Sequence, residues 1–515
     1  MKKSDKNLDL LEDENLGQKL VKKGFWLYLF SYLIAPAGYL VRLLISNSPE
    51  VSVADVGILY SIISLINFLN VYNDLGLTES LQYFLPKFWI KKQYNQIKTT
   101  IFLSLGVQFF TAIWISLCLW FGADWLSAEY FQSPISAKIL KYFCLYFLGI
   151  NLFQTLQSIF IAFQKTFDYQ FVEFIKIWTT VWFTFFCFFT GRWTIEWYSL
   201  NWLLGLGVGI LIAGFLYWFK YHTLLMQGCF EWDKPMLKEY RNYALWAFLG
   251  ANIGNVFGQI IQQMVVYFLG AEAAGYYANF LSLFYIGNMI IWPIMGLILP
   301  IVSQLSEQKN YENLNQLTSF FYNYFSIVGF SISALLVSFW PELAIIAFWE
   351  KFYISGELLI YAWFFLIFNI LSMFNFSCLW GLWKIKERVM ILWATTFFTA
   401  IFTFFSVRSW IIHYSALAFW FSSFCLRLFT WFVLKKTISI QLDRKFIIKN
   451  IIIIFIFSLW ILYYKNRLIH YINRKYSTLF IIFIVSILFY ILLVLFNQGY
   501  LKKVYHIYIS IKKSI

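Results

Sequence analysis

Apolar residues of the 515-residue chain fall into long continuous runs of about twenty, without the residue-by-residue alternation of surface strands. Each run is long enough for one α-helix to cross the hydrocarbon core of a bilayer. A window of about 19 residues predicts fourteen such helices. They cover residues 25–45, 56–85, 99–121, 139–163, 169–190, 197–219, 243–269, 275–303, 317–340, 354–382, 389–407, 412–434, 446–464 and 478–497. The predicted fold class is therefore an all-α polytopic membrane protein.

The chain also resembles itself. ADVGILYSIISLINF, from Ala54, parallels AAGYYANFLSLFYIG, from Ala273, and the same spacing of 218 residues aligns Gly57 with Gly275 and Asn151 with Asn369. Two segments that agree on one spacing predict two parallel six-helix repeats, which form a two-lobed bundle. The expected parts are an N-terminal segment at 1–23, lobes at 24–222 and 236–436, two further helices at 446–498, and a basic tail at 499–515.

Lysine and arginine residues set the expected orientation. With the N-terminus inside, cytoplasmic segments hold 28 of the 40 and external loops hold 9, which predicts that both termini are cytoplasmic. Basic loops beside an anionic leaflet account for the net charge of +15, so no nucleic-acid partner is needed. Only 13% of residues are charged and the connections are short, so we expect no soluble catalytic domain. The six cysteines and four histidines form no ligand pattern, and we expect no metal or cofactor.

Polar residues lie on one side of several predicted helices. Stripes of this kind either join helices by hydrogen bonds or line a hydrated cavity. Helices two and seven are long and polar to mid-depth, so we favour a cavity. The candidate cavity residues are Asn67, Asn70 and Asp74 on helix two, Asn252, Asn255 and Gln259 on helix seven, Asn151 on helix four and Asn369 on helix ten.

Charged residues within the spans are costly and are therefore functional candidates. Besides Asp74, these are Arg42, Lys176 and Arg427. Lys176 can also pair with Glu173, three residues earlier on the same helix. Glu79 is expected off the polar stripe, near the cytoplasmic rim.

Prolines provide two candidate hinges. Pro36 in helix one and Pro293 in helix eight each remove a backbone hydrogen bond within a predicted span. Both are plausible bending points for an alternating-access transporter and equally plausible static kinks.

The segment NVYNDLGLTESLQYFLPKF, residues 70–88, is similar to the helix-two signature of bacterial polysaccharide flippases. These belong to the multidrug/oligosaccharidyl-lipid/polysaccharide exporter superfamily. Asp74 and Gly76 occupy the motif positions. Family members commonly carry Arg or Lys a few residues after this glycine, whereas this chain has Gln82 and Tyr83. Arg42, Lys176 and Arg427 are therefore the remaining candidates for contact with a phosphate.

The resemblance implies a flippase that moves an undecaprenyl-pyrophosphate-linked oligosaccharide across the cytoplasmic membrane by alternating access, for polysaccharide or O-antigen biosynthesis. The implied partners are this lipid-linked substrate, membrane lipids, a polysaccharide polymerase and glycosyltransferases. A multidrug/cation antiporter of the same superfamily and a peptidoglycan-precursor flippase remain open as alternatives. A membrane polymerase or glycosyltransferase is less favoured, because the external loops are short and carry no acidic donor motif. We expect a transporter and not an enzyme.

Overall fold

Every regular element in the described part of the chain is a helix, so the all-α prediction is confirmed. The computed structural model describes residues 16–163, 165–225, 227–289, 292–362, 365–382, 384–409, 411–471, 483–489 and 491. The first helices are α1 (Leu16–Ser46), α2 (Val53–Asp74), α3 (Leu77–Ile90), α4 (Tyr94–Trp125), α5 (Ile135–Ala162), α6 (Thr166–Phe189) and α7 (Ile195–Tyr217). They are followed by α8 (Lys234–Met289), α9 (Trp292–Glu307), α10 (Tyr311–Ser338), α11 (Trp340–Phe348), α12 (Phe365–Gly381), α13 (Ile385–Val407), α14 (His413–Leu434) and α15 (Arg444–Tyr471).

The number of membrane spans among the described residues is lower than the fourteen predicted for the whole chain. Among the described residues, eleven helices are long and apolar enough to cross a membrane, or twelve if one bent pair counts as a span. The count of fourteen is not confirmed. One reason is that the segment Lys234–Ile286 is counted as a single span. It contains predicted helix seven and the start of predicted helix eight, and the backbone between them is non-helical at Gly270. The second is that most of 478–497 lies outside the described residues.

Contacts divide the chain into two compact units. The first unit comprises residues 1–259 and 270–275, and the second comprises 260–269 and 276–515. In the first unit, α6 packs against α1 and α7, and α5 packs against α4 and α7. In the second unit, α14 packs against α12 and α13, while α15 packs against α10. The predicted lobe boundaries stay predictions, and the tail at 499–515 and most of the segment at 1–23 lie outside the described residues.

Predicted helix two is broken at its centre, which corrects the single span at 56–85. Leu75 and Gly76 adopt left-handed conformations, with φ of 51° and 73°, between α2 and α3. Pro86, the residue after the predicted end at 85, lies inside α3. A Cβ atom on Gly76 would lie 2.6 Å from the backbone nitrogen of Phe248 and would also collide with the carbonyl oxygen of Ala244. Glycine is therefore needed here both for the positive φ and for the close approach of α8.

The two glycines that the repeat aligns meet in the first unit. A Cβ atom on Gly57 of α2 would lie 2.6 Å from the backbone nitrogen of Gly275. A Cβ atom on Gly275 would in turn collide with the carbonyl oxygen of Val53. Absence of both side chains lets the helix backbones touch, as at close crossings of membrane helices.

Predicted helix ten, at 354–382, is bent near its start. Short helical segments at Glu350–Phe352, Tyr353–Glu357 and Leu358–Ala362 come first, and α12 is described from Phe365. Glu350–Tyr361 and Leu366–Gly381 form an angle of 66° and can count together as one span. Hydropathy shows a continuous apolar run here because a change of chain direction leaves no mark on hydropathy.

The two candidate hinge prolines both lie in helices. Helix α1 continues through Pro36. Pro293 is the second described residue of α9, and residues 290 and 291 before it lie outside the described part of the chain. The hinge roles of Pro36 and Pro293 stay predictions.

Lys465, which directly follows the predicted helix at 446–464, lies within α15. Its ammonium group is 2.7 Å from the carbonyl oxygen of Ser338 and 3.0 Å from the carboxylate of Glu342. Lys465 is only 4% exposed. This buried ion pair fastens the helix that follows the repeat to α10 and α11 of the second unit.

Candidate functional site: a polar cavity in the first unit

Polar side chains beside the break in helix two enclose a cavity of about 250 Å³ within the first unit. It lies among α2, α3, α5 and α6, with one contribution from α8. Its lining contains carboxyl, amide and hydroxyl groups, and no lysine, arginine or histidine. The lining residues are Asn70, Val71, Asp74, Thr78, Glu79, Gln82, Gln154, Gln157, Ser158, Ile161, Tyr169 and Ala251.

Asp74 lies in this cavity wall, and its carboxylate oxygens also cap α3. Oδ1 accepts hydrogen bonds from the backbone nitrogen of Thr78, at 3.1 Å, and from the Thr78 hydroxyl. Oδ2 accepts a hydrogen bond of 3.1 Å from the backbone nitrogen of Gly76. The first N–H groups of a helix have no intrahelical partners, and a carboxylate there also faces the positive end of the helix dipole. Asp74 thus stabilises a helix start inside the bundle.

Gln108 of α4 links the carboxylate of Asp74 to α5. Its side-chain nitrogen donates a hydrogen bond of 2.7 Å to Oδ1 of Asp74, and its side-chain oxygen accepts one from the Thr155 hydroxyl of α5. Gln108 is 1% exposed and Thr155 is fully buried. A buried amide that is bonded at both ends fixes its neighbours more firmly than a solvated one. The cavity wall is therefore tied to α4 and α5.

Glu79 lies beside Asp74, which corrects its expected position off the polar stripe. The two carboxyl groups are adjacent, and both residues line the cavity. The left-handed residues between α2 and α3 change the helical register, so counting 100° per residue across the break was wrong. Oε2 of Glu79 receives no hydrogen bond from the described residues.

Amide groups of α2, α3 and α5 make the remaining contacts across the cavity wall. Asn70 donates a hydrogen bond of 3.0 Å to Oε1 of Gln154. Gln82 donates one of 3.4 Å to the hydroxyl of Ser158. Asn70 is the second predicted residue that the cavity includes, and Gln154 belongs to the same predicted helix-four face as Asn151. These bonds hold the wall together while leaving other polar atoms of the same amides unused.

Two of the predicted cations are already engaged. Lys176 pairs with Glu173 at 2.7 Å and lies 4.6 Å from the centre of the Phe153 ring. The expected pairing of Lys176 with Glu173 is thus confirmed. Arg42 lies over the Tyr60 ring, 3.7 Å from its centre. Neither residue lines the cavity, so the structure brings neither cation to Asp74.

The polar stripes of predicted helices two and seven face each other. The side-chain nitrogen of Asn255 donates a hydrogen bond of 2.5 Å to the carbonyl oxygen of Asn67. Ser64 donates one of 2.6 Å to Gln259, and Tyr72 lies 3.5 Å from Asn252. These bonds join α2 to the first part of α8. Asn67, Asn252, Asn255 and Gln259 thus make contacts that link helices, and their role as cavity residues stays a prediction.

The repeat-related asparagines lie in different units. Asn151 of α5 is 2% exposed, and neither atom of its side-chain amide has a partner among the residues that the structure describes. Asn369 of α12 is half-buried in the second unit. The structure does not include either one in the cavity wall.

Arg427, another predicted cation, has no carboxylate partner among the described residues. Its guanidinium lies 4.6 Å from the centre of the Tyr322 ring in the second unit. The Tyr322 hydroxyl donates a hydrogen bond of 2.6 Å to Oδ1 of Asn375, and Nδ2 of Asn375 donates one of 2.9 Å to the Thr430 hydroxyl. This network of α10, α12 and α14 holds the ring against the arginine. A guanidinium in this position can bind an anionic group in bidentate fashion.

Gln108 and Tyr169 are site residues that the sequence reasoning missed. Gln108 is a lone amide in the apolar run FLSLGVQFFTAIW, and a single polar residue gives no stripe. Its isolation was the available signal, because a solitary buried amide in a membrane helix requires a partner. Tyr169 lies on none of the predicted polar stripes, so no pattern in the sequence marked it as a site residue.

Comparisons with known proteins agree with this architecture. The model of the family described as "Polysaccharide biosynthesis protein" matches residues 20–306, which is more than half of the chain. A membrane protein of Methanocaldococcus jannaschii, MJ1068, is 22% identical over 459 residues, which cover 86% of this chain and 89% of the relative.

Solved structures show the same fold at low sequence identity. The lipid II flippase MurJ in an inward closed conformation matches with a TM-score of 0.68 and 13% identity, over 92% of this chain and 98% of MurJ. An inward-facing multidrug transporter of the MATE family matches with a TM-score of 0.62 and 13% identity, over 81% and 100% of the respective chains. A MOP-superfamily transporter from Pyrococcus furiosus matches with a TM-score of 0.58 and 14% identity, over 84% and 98%. The expected resemblance is confirmed: the chain has the fold of MOP-superfamily transporters and belongs to the polysaccharide biosynthesis protein family.

Proposed function

We propose that the protein moves a lipid pyrophosphate-linked oligosaccharide across the cytoplasmic membrane by alternating access, as a step in polysaccharide biosynthesis. The observation that carries this proposal is the polar cavity of about 250 Å³ inside an otherwise apolar helical unit. Buried polar groups without full hydrogen bonding are costly in a membrane protein and mark a transport path. Membership of the family supports the polysaccharide assignment.

In this proposal the uncharged and the anionic parts of the substrate need different contacts. The first unit supplies hydrogen-bonding groups and no basic residue to its cavity. The second unit supplies Arg427, which has no carboxylate partner among the described residues. Pyrophosphate needs cationic donors, so Arg427 is its proposed contact. Both termini lie on the cytoplasmic side, as the basic residues indicate.

A second candidate is export of a cationic drug in exchange for an ion. The observation that favours it is the acidity of the cavity, where Asp74 and Glu79 are adjacent and no basic residue lines the wall. A lipophilic cation would be attracted to such a wall. The peptidoglycan-precursor alternative shares the lipid-pyrophosphate chemistry of the first candidate and differs in its glycan.

The test is transport by purified protein in liposomes. Polyprenyl pyrophosphate that carries glucose is incorporated, and an impermeant reagent that oxidises sugar diols measures the accessible fraction. We expect the whole pool to become accessible with the protein and only the outer-leaflet share without it. Unchanged accessibility combined with uptake of a lipophilic cation would overturn the proposal in favour of drug export.

A further inference from the structure

We infer that the cavity of the first unit binds an uncharged sugar of the glycan and rejects a sugar that carries a carboxylate. This inference rests on the proposed function and specifies the substrate class of that site. It also makes Gln82 a specificity-determining residue.

The volume fits one sugar ring. A cavity of about 250 Å³ lies just below the range of about 300–1,000 Å³ that is typical of pockets for drug-sized ligands. That space suits a single monosaccharide and not a whole oligosaccharide. The ring of Tyr169 forms part of the wall and offers an apolar face to the carbon skeleton of a sugar.

The wall presents both donors and acceptors to a ligand. Gln82 uses its side-chain nitrogen on Ser158, and Gln154 uses its side-chain oxygen on Asn70. The opposite amide atoms, Oε1 of Gln82 and Nε2 of Gln154, have no hydrogen bond to the described residues. A hydroxyl group donates and accepts at once, so it can satisfy both kinds of atom. Sugar hydroxyls are therefore the matching chemistry.

The charge of the wall excludes anions. Asp74 and Glu79 both line the cavity, and none of its twelve lining residues is basic. Of the predicted cations, Lys176 is paired with Glu173 at 2.7 Å, and Glu173 also accepts a hydrogen bond of 2.9 Å from Gln157. An anionic ligand would meet acidic side chains and no basic lining residue to offset its desolvation. A phosphate or a uronic acid is accordingly disfavoured.

Gln82 is a lining residue whose side-chain oxygen remains available to the ligand. The oxygens of Asp74 are occupied by Gly76, Thr78 and Gln108. Glu79 lies one turn before Gln82 on α3, and its Oε2 is buried without a donor among the described residues. Replacing Gln82 by lysine would place a cation beside Glu79 and remove the reason for rejecting a carboxylate.

The experiment compares two glycolipids that differ at one carbon. Polyprenyl pyrophosphate carrying glucose and its analogue carrying glucuronic acid are tested for binding in nanodiscs and for transport in liposomes. Wild type is expected to bind the glucuronic acid compound at least about tenfold more weakly. Gln82→Lys is expected to reduce that ratio to about threefold or less. Gln96→Lys, at the start of α4 and outside the cavity wall, is the matched control and should keep the wild-type ratio.

Each outcome has a separate meaning. Equal binding of both glycolipids by wild type would overturn the inference while leaving the proposed function intact. An unchanged ratio in a correctly folded Gln82→Lys variant would overturn the role of Gln82. Gln154→Ala provides a second probe of the same wall, and this variant is expected to bind the glucose compound more weakly. Failure of wild type to bind or transport either compound would overturn the proposed function itself.

Discussion

The side chain of Gln108 donates a hydrogen bond of 2.7 Å to the carboxylate of Asp74. This bond links α4 to Asp74, which caps α3, the second half of the broken predicted helix two. Asp74 is therefore both part of the cavity wall and the structural centre of the helix break. Because its oxygens are already bonded, the carboxylate acts mainly by fixing the positions of α3 and of the cavity residues that α3 carries.

Asp74→Ala should lower both stability and transport. The substitution leaves the backbone nitrogens of Gly76 and Thr78 and the amide of Gln108 without their acceptor. Loss of hydrogen bonds to a buried charged group is expected to cost at least about 2 kcal/mol. The apparent melting temperature in detergent and the glycolipid transport rate measure the two effects. Asp124→Ala is the control, because that side chain is 77% exposed. An unchanged melting temperature for Asp74→Ala would contradict the capping role.

Gly76→Ala should destabilise the first unit. The new Cβ would lie 2.6 Å from the backbone nitrogen of Phe248, and the residue has a φ of 73°. Left-handed backbone at a non-glycine residue costs about 1–3 kcal/mol, and the collision adds to it. Gly106→Ala in α4 is the matched control, because a Cβ there meets nothing within 4 Å. That control should be neutral or stabilising in the same thermal assay. Equal melting temperatures for the two variants would argue against the close approach of α8.

Lys465→Met should destabilise the second unit by about 3–5 kcal/mol, because it leaves the partly buried carboxylate of Glu342 without its partner. Adding Glu342→Gln removes the unpaired charge and should restore much of the loss. Thermal unfolding of the single and double variants forms a direct comparison. A double variant no more stable than Lys465→Met would show that the ion pair does not fasten α15.

Arg427→Ala should reduce transport of a lipid-pyrophosphate glycan by at least about tenfold, which corresponds to losing about 1.4 kcal/mol of contact with the pyrophosphate. Arg427→Lys should recover only part of the rate, because lysine cannot form the bidentate contact. Arg408→Ala is the control, since Arg408 lies at the end of α13 and is exposed. Wild-type transport by a stable Arg427→Ala variant would remove Arg427 from the substrate path.

Hydropathy and repeats predicted the all-helical membrane fold because apolar run length reports directly on membrane helices. They did not predict the break at Leu75 and Gly76, which depends on a backbone conformation that apolar content does not encode. The break in turn explains why Glu79 joins Asp74, contrary to the helical projection. The sequence showed which predicted helices carry amide side chains on one side. The hydrogen-bond partner of each amide, however, depends on the tertiary structure. Asn67 and Asn255 pair between helices, whereas Asn70 lines the cavity.

The central claim is that the cavity of the first unit contacts the transported glycan. Its most direct test is a thiol block at Gln154, in a background where the exposed Cys118 and Cys229 are replaced by serine. A bulky maleimide on Gln154→Cys should stop transport of the glucose-carrying lipid, and prior addition of that lipid should slow the labelling. Undiminished transport after complete labelling, with no protection by the lipid, would contradict the account.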